Sequence, residues 1–179
     1  YGHCCYLPLY IFAGEHLLCA RLRTAHLDAS AGALEEVARI VAQLRAAWPT
    51  VRITLRADSG FCRDALMTWG EAHGVDYVFG LAKNDRLTAL IPAELAAAAA
   101  QCATTGAAAR VFAERTYQTR ESWSRARRVV AKAEHLAVGE DGKSNPRFIV
   151  TSLPVPALDA RALYEDLYCA RGEMENRIK

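Results

Sequence analysis

Two groups of residues have types and spacing that could do chemistry. The first is Asp58, in the run Val51-Arg52-Ile53-Thr54-Leu55-Arg56-Ala57-Asp58-Ser59-Gly60-Phe61-Cys62-Arg63. Val51, Ile53 and Leu55 alternate with Arg52, Thr54 and Arg56, the period of a half-buried strand. Asp58 falls where that strand should stop, and Ser59-Gly60 marks a turn. Open α/β sheets bind ligands beyond the carboxyl ends of their strands. The alternative is that Asp58 only caps the next helix. The second group is Tyr168, Arg171, Glu175 and Lys179. Steps of three, four and four put them on one face of an α-helix. The alternative there is a solvated ladder of charges, worth a few tenths of a kcal/mol per pair.

The elements that must position these residues follow from the periodicity. Residues 4–12 and 17–23 are β-rich and make a hairpin around Ala13-Gly14, with Pro8 marking an edge or a bulge. Leu34, Val37, Ile40, Val41 and Leu44 predict an amphipathic helix over about 31–47, after the cap residues Asp28-Ala29-Ser30. After the Asp58 strand, a helix is expected from Phe61 to about His73, with Gly74 as its C-cap. Val75–Leu81 is nearly all apolar and reads as a central strand. Strand–helix–strand connections imply parallel pairing and right-handed crossovers. An alanine-rich helix over about 87–102, interrupted near Pro92, leads to strands near 111–117, 127–132 and 147–152. A final helix starts near Asp159. The expected class is α/β with a mixed sheet.

The 179 residues suffice for one domain with a real core. A net charge of +2 does not announce a nucleic-acid partner, so any such claim rests on local clusters of basic residues. Six cysteines without CxxC pairs fit buried or incidental thiols of a reducing compartment. No apolar run is long enough to span a membrane. The histidines lack metal-ligand spacing, and neither a Gly-x-Ser-x-Gly elbow nor a phosphate-binding glycine loop is present.

Taken together, the two carboxylate motifs are specific. Arg56-Ala57-Asp58-Ser59-Gly60-Phe61-Cys62-Arg63 resembles the second-aspartate motif of bacterial insertion-sequence DDE transposases. Residues Tyr168 to Lys179 resemble their terminal Tyr-x2-Arg-x3-Glu signature. The wording Arg-Gly-x-x-Glu-Asn-Arg-Ile-Lys is similar to the insertion-sequence 1380 family within that group. The resemblance covers nearly the whole chain. It implies a ribonuclease H-like mixed sheet flanked by helices, with a β-rich insertion, about residues 85–146, before the last helix. It also implies an Asp-Asp-Glu centre holding two Mg²⁺ or Mn²⁺ ions. Asp58 is then the second ligand and Glu175 the third, with Glu173 a weaker alternative. Hard cations favour carboxylate oxygens. Two of them roughly 3.5–4 Å apart activate a nucleophile and stabilise the leaving oxygen.

The family's first Asp lies on a strand before the hairpin, and no residue here matches it. The chain opens at Tyr1 rather than Met, so the expectation is a fragment that is inactive alone. The competing readings are a decayed remnant with a DNA-binding or structural role, and a ribonuclease H-like nuclease. Double-stranded DNA is the implied partner, bound as terminal repeats and target. A homodimer on paired ends and a bacterial cytoplasmic, nucleoid-associated location go with it. The candidate DNA contacts are Lys83, Arg120, Trp123, Arg127, Arg128, Lys132, Tyr168, Arg171 and Lys179. Trp123 either stacks on a base or packs the insertion against the sheet.

Overall fold

The computed structural model describes residues 5–137, 144–155 and 157–171. Glu173, Glu175 and Lys179, and the side chain of Arg171, lie outside what is described. Two sheets form. Strands β1 (Leu9–Ala13) and β2 (His16–Arg21) pair antiparallel as a hairpin, with a bulge between Ile11 and Phe12. The main sheet has the order β3-β4-β7-β6-β5, from β3 (Thr54–Ala57), β4 (Asp76–Leu81), β5 (Ala109–Tyr117), β6 (Arg127–His135) and β7 (Arg147–Thr151). β3 and β4 run parallel, as the intervening helix predicts, and the other pairs are antiparallel. The strands of the expected insertion therefore continue the main sheet through β7.

Helices cover both faces. On one face α1 (Ala33–Ala47) and α2 (Asp64–Ala72) bring Val37, Val41, Leu66 and Met67 onto Tyr77, Phe79, Phe148 and Val150. The short α3 (Asp85–Thr88) and α4 (Pro92–Thr105) add Leu87 and Ile91 to that core. On the other face Leu163 and Tyr164 pack on Val78, Val130 and Ile149. Cover on both sides is why β4 is almost wholly apolar.

Three local differences from the periodicity have physical causes. Gly32, at φ 75°, starts α1, while Asp28 holds the preceding turn through the Ser30 amide at 2.8 Å. The helix expected from Phe61 begins instead as a 3₁₀ turn, Ser59–Phe61, because Asp58 caps it. The terminal segment starts as α5 (Ala160–Ala162), capped by Asp159, and then widens into a π-helical stretch, Leu163–Tyr168. It tightens again at Cys169–Arg171. Leu163 and Tyr164 are both buried there, against Val78, Val130 and Ile149.

Candidate functional site

Asp58 follows β3 directly, and Lys83 stands two residues beyond β4. Because the two strands are parallel, both residues lie at the same edge of the sheet. Inward and outward positions alternate along β3: Leu55 and Ala57 join the α1–α2 core, so Arg56 and Asp58 face the side of the terminal segment. Arg56 confirms that side by donating from Nη1 to the Leu167 carbonyl at 2.9 Å.

Asp58 is exposed, and its Oδ1 accepts from the Gly60 amide at 2.8 Å. The capping alternative is therefore realised. Among the described residues Oδ2 takes no hydrogen bond, so the carboxylate can cap and still offer an oxygen ligand. The neighbouring turn carries Asp28, which pairs with Arg63 at 2.7 Å. That hydrogen bond from Arg63, helped by Ser30, holds the Asp28 carboxyl far below the usual carboxylate range.

Next in register to Asp58 is Gly80, since Ala57 pairs with Phe79 one step earlier. A Cβ on Gly80 would lie 2.6 Å from the Tyr168 hydroxyl oxygen and 2.9 Å from the Ser59 amide nitrogen. The sheet, the Asp58 turn and the terminal segment thus meet at one point. Tyr168 also lies tilted against the Tyr164 ring, with centroids 5.5 Å apart. Of the residues read as functional from the sequence, Asp58, Lys83 and Tyr168 share this edge.

Lys132 lies toward the same edge, because Leu81 pairs with Phe148 and Phe148 with Ala131. Its Nζ is held by Glu134 at 2.8 Å and sits over the Tyr164 ring. Glu134 is buried and is also bound by Arg110 at 2.7 Å and Asn145 at 2.9 Å. Burial raises the Glu134 carboxyl, but Lys132 and Arg110 outweigh it and leave it below its ordinary value.

The other basic candidates sit at the opposite edge. Tyr117 pairs with Arg127 at the far end of the β5–β6 ladder, and Arg120 and Trp123 are in the loop beyond it. Five residue steps along β6 separate Arg127 from Lys132, about 17 Å of strand. Trp123 is buried, edge-on to Tyr117 at 5.8 Å. It belongs to the main core cluster, the position that its packing alternative expects. Arg127 has a side-chain exposure of 2% and binds Asp64 at 2.6 Å, Glu71 at 2.9 Å and the Thr68 hydroxyl at 3.0 Å. Arg128 binds Glu114 and the Leu153 and Leu158 carbonyls. Both guanidinium groups place their donors on partners inside the chain. Arg120 and Lys83 are exposed and carry no ion pair among the described residues.

Around Arg127 the carboxylates respond strongly. Burial pushes Glu71 up, but hydrogen bonds from Arg127, Arg125 and Tyr77 bring it down to about 2. Asp64 is lowered for the same reason, by Ser124 and Arg127 against burial. Desolvation drives the Cys62 thiol up to about 12, so that buried cysteine has no thiolate at neutral pH.

A mixed sheet with helices on both faces and a carboxylate at the end of a parallel strand defines an α/β domain compatible with the ribonuclease H-like class. The whole chain, residues 1–179, matches the model of the family transposase DDE domain group 1, and it belongs to that family. No curated protein matches it. Family membership supports a transposase function, acting on DNA with divalent metal ions. Among the described residues no group of three or more His, Cys, Asp or Glu is arranged to hold a metal. The exposed Asp58 carboxylate, with Oδ2 open, fits one ligand of such a site rather than the whole set. Among them, no helix is long and apolar enough to cross a membrane.

Two placements were not read from the sequence. Gly80 interrupts an otherwise apolar strand, a pattern that marks close backbone approach. Asp64 and Glu71 are seven apart on α2, hence on one face, the spacing that a shared cationic partner requires.

Proposed function

We propose that this chain is the greater part of the catalytic domain of an insertion-sequence transposase of the 1380 type, cleaving and joining DNA strands at element ends. The observation that carries the reading is the exposed Asp58 carboxylate, which caps a turn at a parallel strand end on the side of the terminal segment. Asp58 and Glu175 are the proposed metal-binding carboxylates, and Glu175 is seven residues beyond Tyr168, which already lies at this edge. Divalent ions held there would polarise the scissile phosphate and favour the deprotonated nucleophile. The chain's own part is to fix the carboxylate: the Gly60 amide orients Oδ1, and Arg56 holds the terminal segment over the same face.

A groove of about 340 Å³ supports a further ligand strand. It is lined on one side by Leu9–Gly14 and on the other by Ile53–Asp58, over Val37, Ile40 and Val41 of α1. β1 and β3 each have one edge without a ladder partner among the described residues. Facing unpaired edges above an apolar floor suit an extended strand. The reading places the family's first catalytic carboxylate on such a strand, so residues 1–179 alone would not cleave DNA. Lys83 and Arg120 are the proposed phosphate contacts among the described residues, since both cations are uncommitted.

Replacing the metal with Fe²⁺ and adding ascorbate and peroxide tests the site. Backbone scission is expected within residues 57–60 and 80–83, and Asp58→Asn should abolish it. Scission confined elsewhere, or unchanged in Asp58→Asn, would overturn the assignment.

A further inference from the structure

We propose that Gly80 is a positioning residue that couples the terminal segment to the Asp58 turn. The inference deepens the reading of Asp58 as a metal ligand and rests on it. Gly80 is buried in β4 and pairs with Ile149 of β7. Its φ is not positive, unlike those of Gly14, Gly32, Gly74 and Gly106, so its backbone conformation does not call for glycine. Space does. A Cβ there would stand 2.6 Å from the Tyr168 hydroxyl, 2.9 Å from the Ser59 nitrogen and 3.3 Å from the Asp58 carbonyl carbon. The first atom ends a side chain of the terminal segment, and the other two are backbone of the Asp58 turn. A methyl group would therefore push on both at once.

The geometry makes one consequence follow from the other. Tyr168 sits at the end of the π-helical stretch whose Leu163 and Tyr164 are anchored in the core. Arg56 ties the same stretch to β3. With Gly80 bare, the Tyr168 ring end and the Ser59 amide close over one spot, and the height of the terminal segment above the sheet is set against the turn that carries Asp58.

Hydrogen exchange on the 179-residue chain reads the coupling without reference to metal. In Gly80→Ala, amides of residues 59–61 and of 163–168 should both exchange at least about tenfold faster, with 129–131 unchanged. In a Tyr168→Ala background the same Gly80→Ala change should alter residues 59–61 less, because one of the three close atoms is gone. Tyr168→Ala alone should also speed exchange at 59–61, so the proposal stays testable if Gly80→Ala does not fold. Mn²⁺ titration is the second readout: Gly80→Ala should weaken binding at least about tenfold. Faster exchange confined to 59–61, or strictly additive effects in the double variant, would overturn the coupling. Intact coupling in a chain whose Mn²⁺ binding ignores Asp58→Asn would instead overturn the metal reading alone.

Discussion

Arg127 offers the sharpest test of which basic residues belong to the fold. Arg127→Met keeps the length of the stem and removes the charge. It leaves Asp64 and Glu71 facing each other across the vacated guanidinium, which had bound them at 2.6 and 2.9 Å. Removing one partner of a buried ion pair costs about 3–5 kcal/mol. Here the carboxylates keep side-chain exposures of 25% and 14%, so water takes over part of the lost solvation. The lower end, about 3 kcal/mol, is the better expectation. For a domain of this size each kcal/mol moves Tm by about 2–4 °C, so a fall of about 6–12 °C should appear in thermal melts followed by circular dichroism. Arg120→Met is the control: Arg120 is exposed and unpaired among the described residues, and its change should stay within about 0.5 kcal/mol. A stability for Arg127→Met within about 1 kcal/mol of the Arg120→Met control would refute the structural role assigned to Arg127.

Three further outcomes are expected. Glu71, ordinarily near 4.5, is held at about 2, so its contribution is complete above its unfolded value and is lost as pH falls from about 4.5 toward 2; acid titration should show this loss, and Arg127→Met should remove most of it. Leu163 has 0% exposure, and Leu163→Ala should cost about 2–5 kcal/mol in urea unfolding while loosening the terminal segment first in hydrogen exchange. At pH 8 iodoacetamide should label the exposed Cys5 and Cys169 well before the buried Cys62, as peptide mapping would read.

Much of the fold is legible in the residues. The alternation before Asp58 and the apolar run of β4 predict a parallel pair, because only a helix of the length of α2 returns the chain in the same direction. Asp58 reads from the sequence as cap or ligand, and the observed cap takes only Oδ1, which leaves Oδ2 for the proposed ligand role. The spacing of the terminal segment reads less well. A uniform 3.6 residues per turn is expected from Asp159 onward, and the π-helical stretch Leu163–Tyr168 departs from it; the steps from Tyr168 to Glu175 and Lys179 run outside the described residues. The basic residues of β6 read worst. Arg127 looks like a surface cation until Asp64 and Glu71, distant in sequence, are brought beneath it by α2. Such pairing is a property of the assembled sheet and leaves no local trace. The separation of Asp58 from Trp123 is similarly invisible: it follows from β7, which sets the register between β4 and β6.

Asp58 is proposed as a metal-binding carboxylate of a transposase catalytic centre. Its most direct test is Mg²⁺-dependent strand cleavage of terminal-repeat DNA by the transposase polypeptide that contains this chain, with Asp58→Asn beside the unaltered protein. The expected result is a loss of at least about a thousandfold in cleavage rate, about 4 kcal/mol of transition-state stabilisation, with DNA affinity retained. Cleavage by Asp58→Asn at a rate near that of the unaltered protein would contradict it.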